Sequence, residues 1–214
     1  MKKLCIFDLD GTLLNTLDSI AYYVNDTIKH FGLPVIETEK IRTFVGNGAK
    51  NLISRSLRYN GSELDAEKVL SVYIEKYNSD ALYLVKPYEG IPELLSKLRE
   101  NGVTLAVLSN KPHSSTSIMI DKIFGKDLFS VVRGPYNNEK VKPDPAVANE
   151  IAKGFEKENC FFIGDSDVDI KTGRNALMHT IGVTWGFRDR GVLQNAGAEK
   201  IVSKAADIAD IVLA

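Results

Sequence analysis

Asp8 and Asp10 stand one residue apart at the end of an unbroken apolar run, Leu4-Cys5-Ile6-Phe7, and are followed directly by Gly11 and Thr12. A second group of acids, Asp165, Asp167 and Asp169, follows another apolar run from Cys160 to Ile163. Between the two groups, Ser109 and Asn110 end a third such run, and Lys142 precedes a proline. Carboxylates brought together at one edge cannot all stay ionised without a cation. Mg²⁺ resolves that conflict, because it takes one or two carboxylates, waters and a substrate phosphate. A hydroxyl, an ammonium and a cluster of backbone N–H groups beside it suit a transferring phosphoryl group. Gly11 permits the tight turn that aims N–H groups at such an anion. Taken alone, Asp-x-Asp-Gly-Thr also reads as a plain strand-to-helix turn with its acids as helix caps. The partners later in the chain decide between the two.

For these residues to meet, each must end a strand of one sheet. Four apolar residues without alternation, Leu4 to Phe7, suit a strand buried on both faces of a parallel sheet. Open α/β sheets bind their ligands beyond the carboxyl ends of such strands. From Lys86-Pro87 onward, strand and helix patterns alternate. Gly90-Ile91-Pro92 opens a helix that Asn101-Gly102 closes. A strand over 103–108 follows, then a helix over 115–124, a short strand near 129–133 and a helix near 146–153. A strand over 160–163, a helix to about Leu177, a strand near 180–183 and a terminal helix over 205–212 complete the series. This rhythm predicts an α/β fold with a doubly wound parallel sheet.

Residues 16–84 break the rhythm. Apolar stripes at helical spacing run through Leu17, Ile20, Ala21, Val24, Ile28 and Phe31, then Ala49, Leu52, Ile53 and Leu57, then Leu70, Tyr73, Ile74 and Tyr77. Only a short segment at 41–45 intervenes, and no strand-like run does. A strand-to-helix connection usually takes about 2–6 residues. Residues 16–84 are therefore expected to form an inserted all-helical cap domain on a core built from 1–15 and 85–214. The tyrosines of this insert (Tyr22, Tyr23, Tyr73, Tyr77, Tyr83) are expected to pack its interior or line its surface.

The 214 residues have room for one large domain or a domain with an insert. An apolar fraction of 44% and a charged fraction of 26% are those of an ordinary globular protein. A formal net charge of −1 leaves no footprint for nucleic acid or an anionic membrane, and no run is long enough to span a bilayer. Met1-Lys2-Lys3 has the charge of a signal-peptide start, but Asp8 and Asp10 interrupt the apolar stretch that would have to follow. Cys5 and Cys160 read as buried reduced thiols, which points to the cytoplasm. His30, His113 and His179 show no ligand spacing. A monomer or weak homodimer is expected.

Asp8-Leu9-Asp10-Gly11-Thr12, Ser109-Asn110, Lys142-Pro143 and Gly164-Asp165-Ser166-Asp167-Val168-Asp169, in that order, resemble the four motifs of the haloacid dehalogenase-like (HAD) phosphohydrolases. The resemblance covers essentially the whole chain, because the helical insert falls where that family carries its C1-type cap. It implies a HAD-like Rossmannoid core and Mg²⁺-dependent hydrolysis of a small phosphorylated substrate through an aspartyl-phosphate. Asp8 would be the nucleophile. Asp10 would protonate the leaving alkoxide and then activate water, which calls for burial beside other carboxylates. Asp8 and Asp165 would bind Mg²⁺ through their side chains and Asp10 through its backbone carbonyl, with Asp169 orienting metal-bound waters or Lys142. Lys142 would offset charge on Asp8 and the phosphate. Ser109 and the N–H groups of Gly11 and Asn110 would hold phosphate oxygens, with Thr12 counted among the substrate-binding residues.

Departures within the family narrow the chemistry. Dehalogenase members lack the second Asp, so Asp10 argues against carbon–halogen hydrolysis. Phosphonatase-like members replace that Asp and use a cap lysine as a Schiff base; Lys50 is suggestively placed, but Asp10 is present. Thr12 stands where sugar-phosphate mutases commonly carry a branched aliphatic, and Asn15 where many relatives have Asp. The segment from Arg42 to Lys50 resembles the cap loop of phosphoglycolate phosphatases, as do Pro87-Tyr88-Glu89-Gly90 and Thr184-Trp185-Gly186. Glycines preceding a helix aim free N–H groups and the positive end of its dipole at an anion. Gly46, Asn47 and Lys50 are therefore expected to contact the substrate, though a plain helix start has the same pattern. The expected activity is a Mg²⁺-dependent phosphatase, with 2-phosphoglycolate the favoured substrate. Pyrophosphate, a nucleotide or a sugar phosphate stand as alternatives, ahead of a phosphomutase or a non-catalytic phosphate-binding protein.

Overall fold

In the computed structural model, which describes residues 2–136 and 139–214, one sheet collects the motifs at a single edge. Its strands are β1 (Leu4–Phe7), β4 (Thr104–Leu108), β5 (Val131–Arg133), β6 (Cys160–Gly164), β7 (His179–Val183) and β8 (Lys200–Val202). They run parallel in the order β5-β4-β1-β6-β7-β8, so β1 lies in the middle with β4 and β6 beside it. Every residue of β1 and β6 is buried, as their unalternating apolar sequences require. Phe7 is level with Val107 and with Ile163. That register carries Asp8, Ser109 and Asp165 off the same edge from three adjacent strands.

Helices cover both faces. On one, α5 (Ile91–Glu100) and α10 (Ala205–Leu213) pack together, and Leu94, Leu95, Leu98, Ile208 and Val212 join Phe7, Val107, Ile163 and Val183 in the main core. On the other, α7 (Ala146–Ile151) sets Ala148 against Leu4, Ile6, Leu108 and Phe162. α6 (His113–Ile123), α8 (Asp167–Asn175) and α9 (Arg190–Ala196) complete the layers. Burying one such Leu or Phe side chain is worth about 1.5–3 kcal/mol.

Four helices fill the chain between β1 and α5: α1 (Leu17–His30), α2 (Thr38–Arg42), α3 (Ala49–Tyr59) and α4 (Ala66–Ser79). α1 packs on the other three, and α3 packs on α4. Their apolar stripes continue the main core through Val24, Ile28, Leu52, Ile53, Val69 and Tyr73. The chain leaves and returns through a short antiparallel ribbon, β2 (Leu14–Asn15) against β3 (Lys86–Pro87).

Element boundaries differ from the sequence reading where local signals are weak. The helix expected at 115–124 starts earlier, at His113, directly after Pro112. The strand near 129–133 keeps only Val131–Arg133, and the helix near 146–153 ends at Ile151. α9, β8 and the ribbon of β2 and β3 were not expected at all, because stretches of two to seven residues show little or no period. Cys5 and Cys160 are buried and free. Among the described residues no helix is long and apolar enough to cross a membrane.

Candidate active site

At the carboxyl edge of the sheet, Asp8 follows β1 directly and its N–H donates to the Ile163 carbonyl of β6 (2.9 Å). Asp165 follows β6. Its Oδ2 accepts from the Phe187 N–H (2.7 Å) and its Oδ1 from the Thr12 hydroxyl (3.0 Å). Asp169 sits in the first turn of α8, fully buried, where its Oδ2 accepts from the Ser166 N–H (3.0 Å) and hydroxyl (2.6 Å) in a capping box. Its other oxygen, Oδ1, accepts from Lys142 Nζ at 2.6 Å. Lys142 Nζ also forms an ion pair with Asp8 Oδ1 at 2.8 Å, so one ammonium is shared between the two acids.

Asp8, Asp165 and Asp169 each offer one carboxylate oxygen, all within 4.8 Å of one another. Burial, and after it the charge of Asp169, push the Asp8 carboxyl well above the usual carboxylate range. The same two causes push Asp165 up to about 7. Burial works against the charge of Lys142, but Asp169 and Asp8 outweigh it and raise that ammonium. One lysine shared among three buried acids leaves negative charge uncompensated. A hard divalent cation fits this all-oxygen donor set.

Asp8 and Asp165 form the floor of a cavity of about 60 Å³, with Asp169 buried behind them. Asp10, Ser109, Asn110 and Lys111 line its core side, and Ile20, Val45, Leu52, Tyr73, Ile74 and Tyr77 line the side of the four helices. Asn110 ties the rim together. Its side-chain N–H₂ donates to the carbonyls of Gly46 (3.1 Å) and Lys142 (3.0 Å), and its Oδ1 accepts from the Lys142 N–H (2.8 Å).

Of the residues singled out from sequence, Asp8, Asp10, Ser109, Asn110, Gly46 and Asp165 line this cavity, with Lys142 and Asp169 at the acid cluster. Gly11 lies against Asp165, where a Cβ would come within 2.5 Å of Oδ2. Thr12 is turned from the cavity, its hydroxyl on Asp165 and its carbonyl accepting from Trp185 Nε1 (3.1 Å). Two residues of the four-helix segment do not line the cavity. Lys50 is exposed and paired with Glu67 at 2.5 Å. Asn47 accepts from Arg55 through Oδ1 (2.9 Å) and from Asn51 through its carbonyl (2.8 Å). Asn47 lies in the loop before α3 and Lys50 in its first turn, where Gly46, Gly48 and Ala49 line the cavity instead. Asp167 pairs with Lys171 on the surface of α8.

Sequence reasoning missed Lys111. Its Nζ lies 3.3 and 3.4 Å from the Asp10 oxygens and 3.0 Å from the Tyr77 hydroxyl. Asp10 was expected to sit among carboxylates, and the structure puts an ammonium beside it. The signal was present, since Lys111 directly follows Ser109-Asn110, but its partners lie 34 and 101 residues away. Arg188 and Phe187, also on the cavity wall, were likewise not singled out.

A family model described as haloacid dehalogenase-like hydrolase matches residues 5–183. A phosphoglycolate phosphatase of Haemophilus influenzae is 35% identical over 195 residues, covering 86% of this chain and 87% of that protein. Phosphoglycolate phosphatase 1 of Pseudomonas aeruginosa is 31% identical over 194 residues, covering 87% of this chain and 71% of that one. A crystal structure from Lactobacillus delbrueckii subsp. bulgaricus superposes with a TM-score of 0.91 at 31% identity, covering 99% of both chains.

Proposed function

This chain belongs to the haloacid dehalogenase-like hydrolases, as a phosphoric monoester hydrolase, and from that premise we propose that it cleaves 2-phosphoglycolate with the help of Mg²⁺. The observation that carries the reading is the convergence of Asp8 and Asp165 on the floor of a small cavity, with Asp169 and Lys142 packed directly behind them. The names of the curated relatives support the substrate, and so does the cavity. Its helical side offers mainly apolar side chains and few groups to bond the hydroxyls of a sugar or the base of a nucleotide. We assign residues 16–84 as the cap over a core of 1–15 and 85–214, a division the β2–β3 ribbon marks in the chain.

Asp8 and Asp165, with the backbone carbonyl of Asp10, would hold the Mg²⁺, and Asp169, whose oxygens already accept from Lys142 and Ser166, would stand behind them; when bound, the ion would neutralise the acids and polarise the phosphoryl oxygens. An Asp8 oxygen attacks phosphorus and forms the aspartyl-phosphate as the P–O bond to the alcohol breaks. Asp10 gives its proton to the departing alkoxide, then takes one from the water that attacks the same phosphorus. That second attack breaks the bond to Asp8 and releases phosphate. Lys142, held by Asp169, favours the ionised form of Asp8 against the burial that opposes it, and fixes the position of its carboxylate. Ser109, buried at the end of β4, supplies a hydroxyl to a phosphoryl oxygen.

The test is phosphate release by the purified protein with Mg²⁺ from 2-phosphoglycolate, pyrophosphate, nucleoside monophosphates and hexose phosphates. The highest kcat/KM is expected for 2-phosphoglycolate. Asp8→Asn should lose at least about 10³-fold in kcat while keeping its melting temperature, since the nucleophile cannot be replaced by an amide. A variant that still turns over at the wild-type rate would remove Asp8 as nucleophile.

A further inference from the structure

The cavity that would hold the substrate contains a cation the phosphoryl chemistry does not use. Lys142 is spent on Asp8 and Asp169 beneath the phosphoryl site. Arg188 lines the cavity, but its guanidinium donates to the carbonyls of Arg42 (3.0 Å) and Val45 (2.6 Å). Lys50 points outward to Glu67, and Arg42 donates to the carbonyls of Phe187 (2.9 Å) and Gly186 (3.4 Å). Lys111 is different. Its ammonium is buried between Asp10 and the ring of Tyr77, both on the cavity wall. Its contacts with Asp10, 3.3 and 3.4 Å, are long for an ammonium and a carboxylate, which usually meet at about 2.7–2.9 Å. The Lys142–Asp169 contact at 2.6 Å shows how tightly such a pair closes in this same site. Lys111 therefore has bonding capacity left, directed into a pocket of otherwise apolar helical side chains.

We propose that Lys111, with the Tyr77 hydroxyl beside it, is the specificity-determining residue that receives the carboxylate of the substrate. The inference rests on the 2-phosphoglycolate reading and adds the group that would select it. In that substrate the carboxylate carbon is two bonds from the ester oxygen that leaves. Asp10 delivers its proton to that oxygen, and Lys111 lies just beyond Asp10. A carboxylate on the neighbouring carbon thus falls within reach of the ammonium. Tyr77, whose oxygen accepts from Lys111 at 3.0 Å, can turn its own O–H to the same anion. The core rather than the cap loop then reads the acidic end of the substrate.

Two substrates of similar size decide it: 2-phosphoglycolate and ethyl phosphate, which lacks the carboxylate. The full-length enzyme with Mg²⁺ should prefer 2-phosphoglycolate in kcat/KM. Lys111→Met should lower the ratio of the two kcat/KM values at least about tenfold, the scale of one charge-assisted hydrogen bond, and Lys111→Arg should recover part of it. Tyr77→Phe keeps the ring against Tyr23 and Tyr73 and should lower the ratio about tenfold, the scale of one hydrogen bond to a charged group. It decides the matter if Lys111→Met does not fold. A wild-type preference that survives Lys111→Met and Tyr77→Phe, with both substrates slowed equally, overturns this inference alone and leaves Lys111 as a support for Asp10. A wild-type enzyme without the preference overturns the substrate reading and this inference with it.

Discussion

Asp165 is asked to be buried and to be charged, and those demands conflict until a cation arrives. Its folded-state pKa, pushed up to about 7, compares with about 3.9 for an unfolded aspartate. Between those values the folded state holds a proton that the unfolded state has lost. Without metal, this group's contribution to stability therefore declines as pH rises from about 4 to about 7 and stays low above that. Asp165→Asn removes the charge and keeps both bonds, since its carbonyl can accept from the Phe187 N–H and its amide can donate to the Thr12 hydroxyl. With chelator at pH 8, Asp165→Asn should be more stable than wild type by about 1–3 kcal/mol. The gap should close as pH is lowered from 7 to 5, and added Mg²⁺ should raise the melting temperature of wild type only. Thermal denaturation across that pH range checks all three; a less stable Asn variant at pH 8 would mean that Asp165 is not held at a cost. The acids themselves were legible in sequence because their chemistry shows in residue type and order. Lys111 was not, since a single lysine after a strand has no meaning until Asp10 and Tyr77 are folded around it.

Asp165 and Asp169 are positioned by bare backbone as much as by hydrogen bonds. An ideal Cβ on Gly186 would fall 2.3 Å from the Asp165 Cβ and from the Gly11 carbonyl oxygen, and one on Gly164 would fall 2.2 Å from the Asp169 Cβ. The turn after β1, the end of β6 and the loop after β7 thus close on the acids from three directions. Gly186→Ala should cost about 1–3 kcal/mol by overpacking and weaken Mg²⁺ binding by about 10–100-fold, as for other supporting residues of metal sites. Titration calorimetry with Mg²⁺ separates the two effects, and unchanged affinity would show that the loop after β7 gives way without moving Asp165. Gly186 drew notice in sequence only within Thr184-Trp185-Gly186, because a glycine does not announce what it packs against. The strands β1, β4 and β6 were readable because burial on both faces writes itself as an unalternating apolar run. α1, α3 and α4 were readable from their stripes, whereas α9, β8 and the ribbon of β2 and β3 are too short to carry a clear pattern.

Across the whole molecule, two arginines hold the helical segment and the sheet edge to each other reciprocally. Arg42, at the end of α2, donates to the carbonyls of Phe187 and Gly186, and Arg188 donates back to the carbonyls of Arg42 and Val45. Phe187 N–H is also a donor to Asp165 Oδ2, so the clasp ends on an acid of the candidate metal site. The Asn110 bond to Gly46, the Lys111 bond to Tyr77 and the Ser115 bond to Asn78 join the same two parts on the other side of the cavity, and the β2–β3 ribbon is the covalent route between them. The position of the four helices over the cavity should therefore depend on both arginines together. Arg42→Ala and Arg188→Ala are each expected to raise KM for 2-phosphoglycolate by about 5–50-fold, the loss of one charge-assisted hydrogen bond or slightly more. Because each arginine bonds the backbone that the other holds in place, the double variant should fall short of the product of the single effects by at least about 0.5 kcal/mol. A cycle of kcat/KM values over the four proteins measures that coupling. Strictly multiplicative losses would mean that each arginine serves only its own loop and that the ribbon and the bonds from Asn110, Lys111 and Ser115 set how the helices sit over the acids.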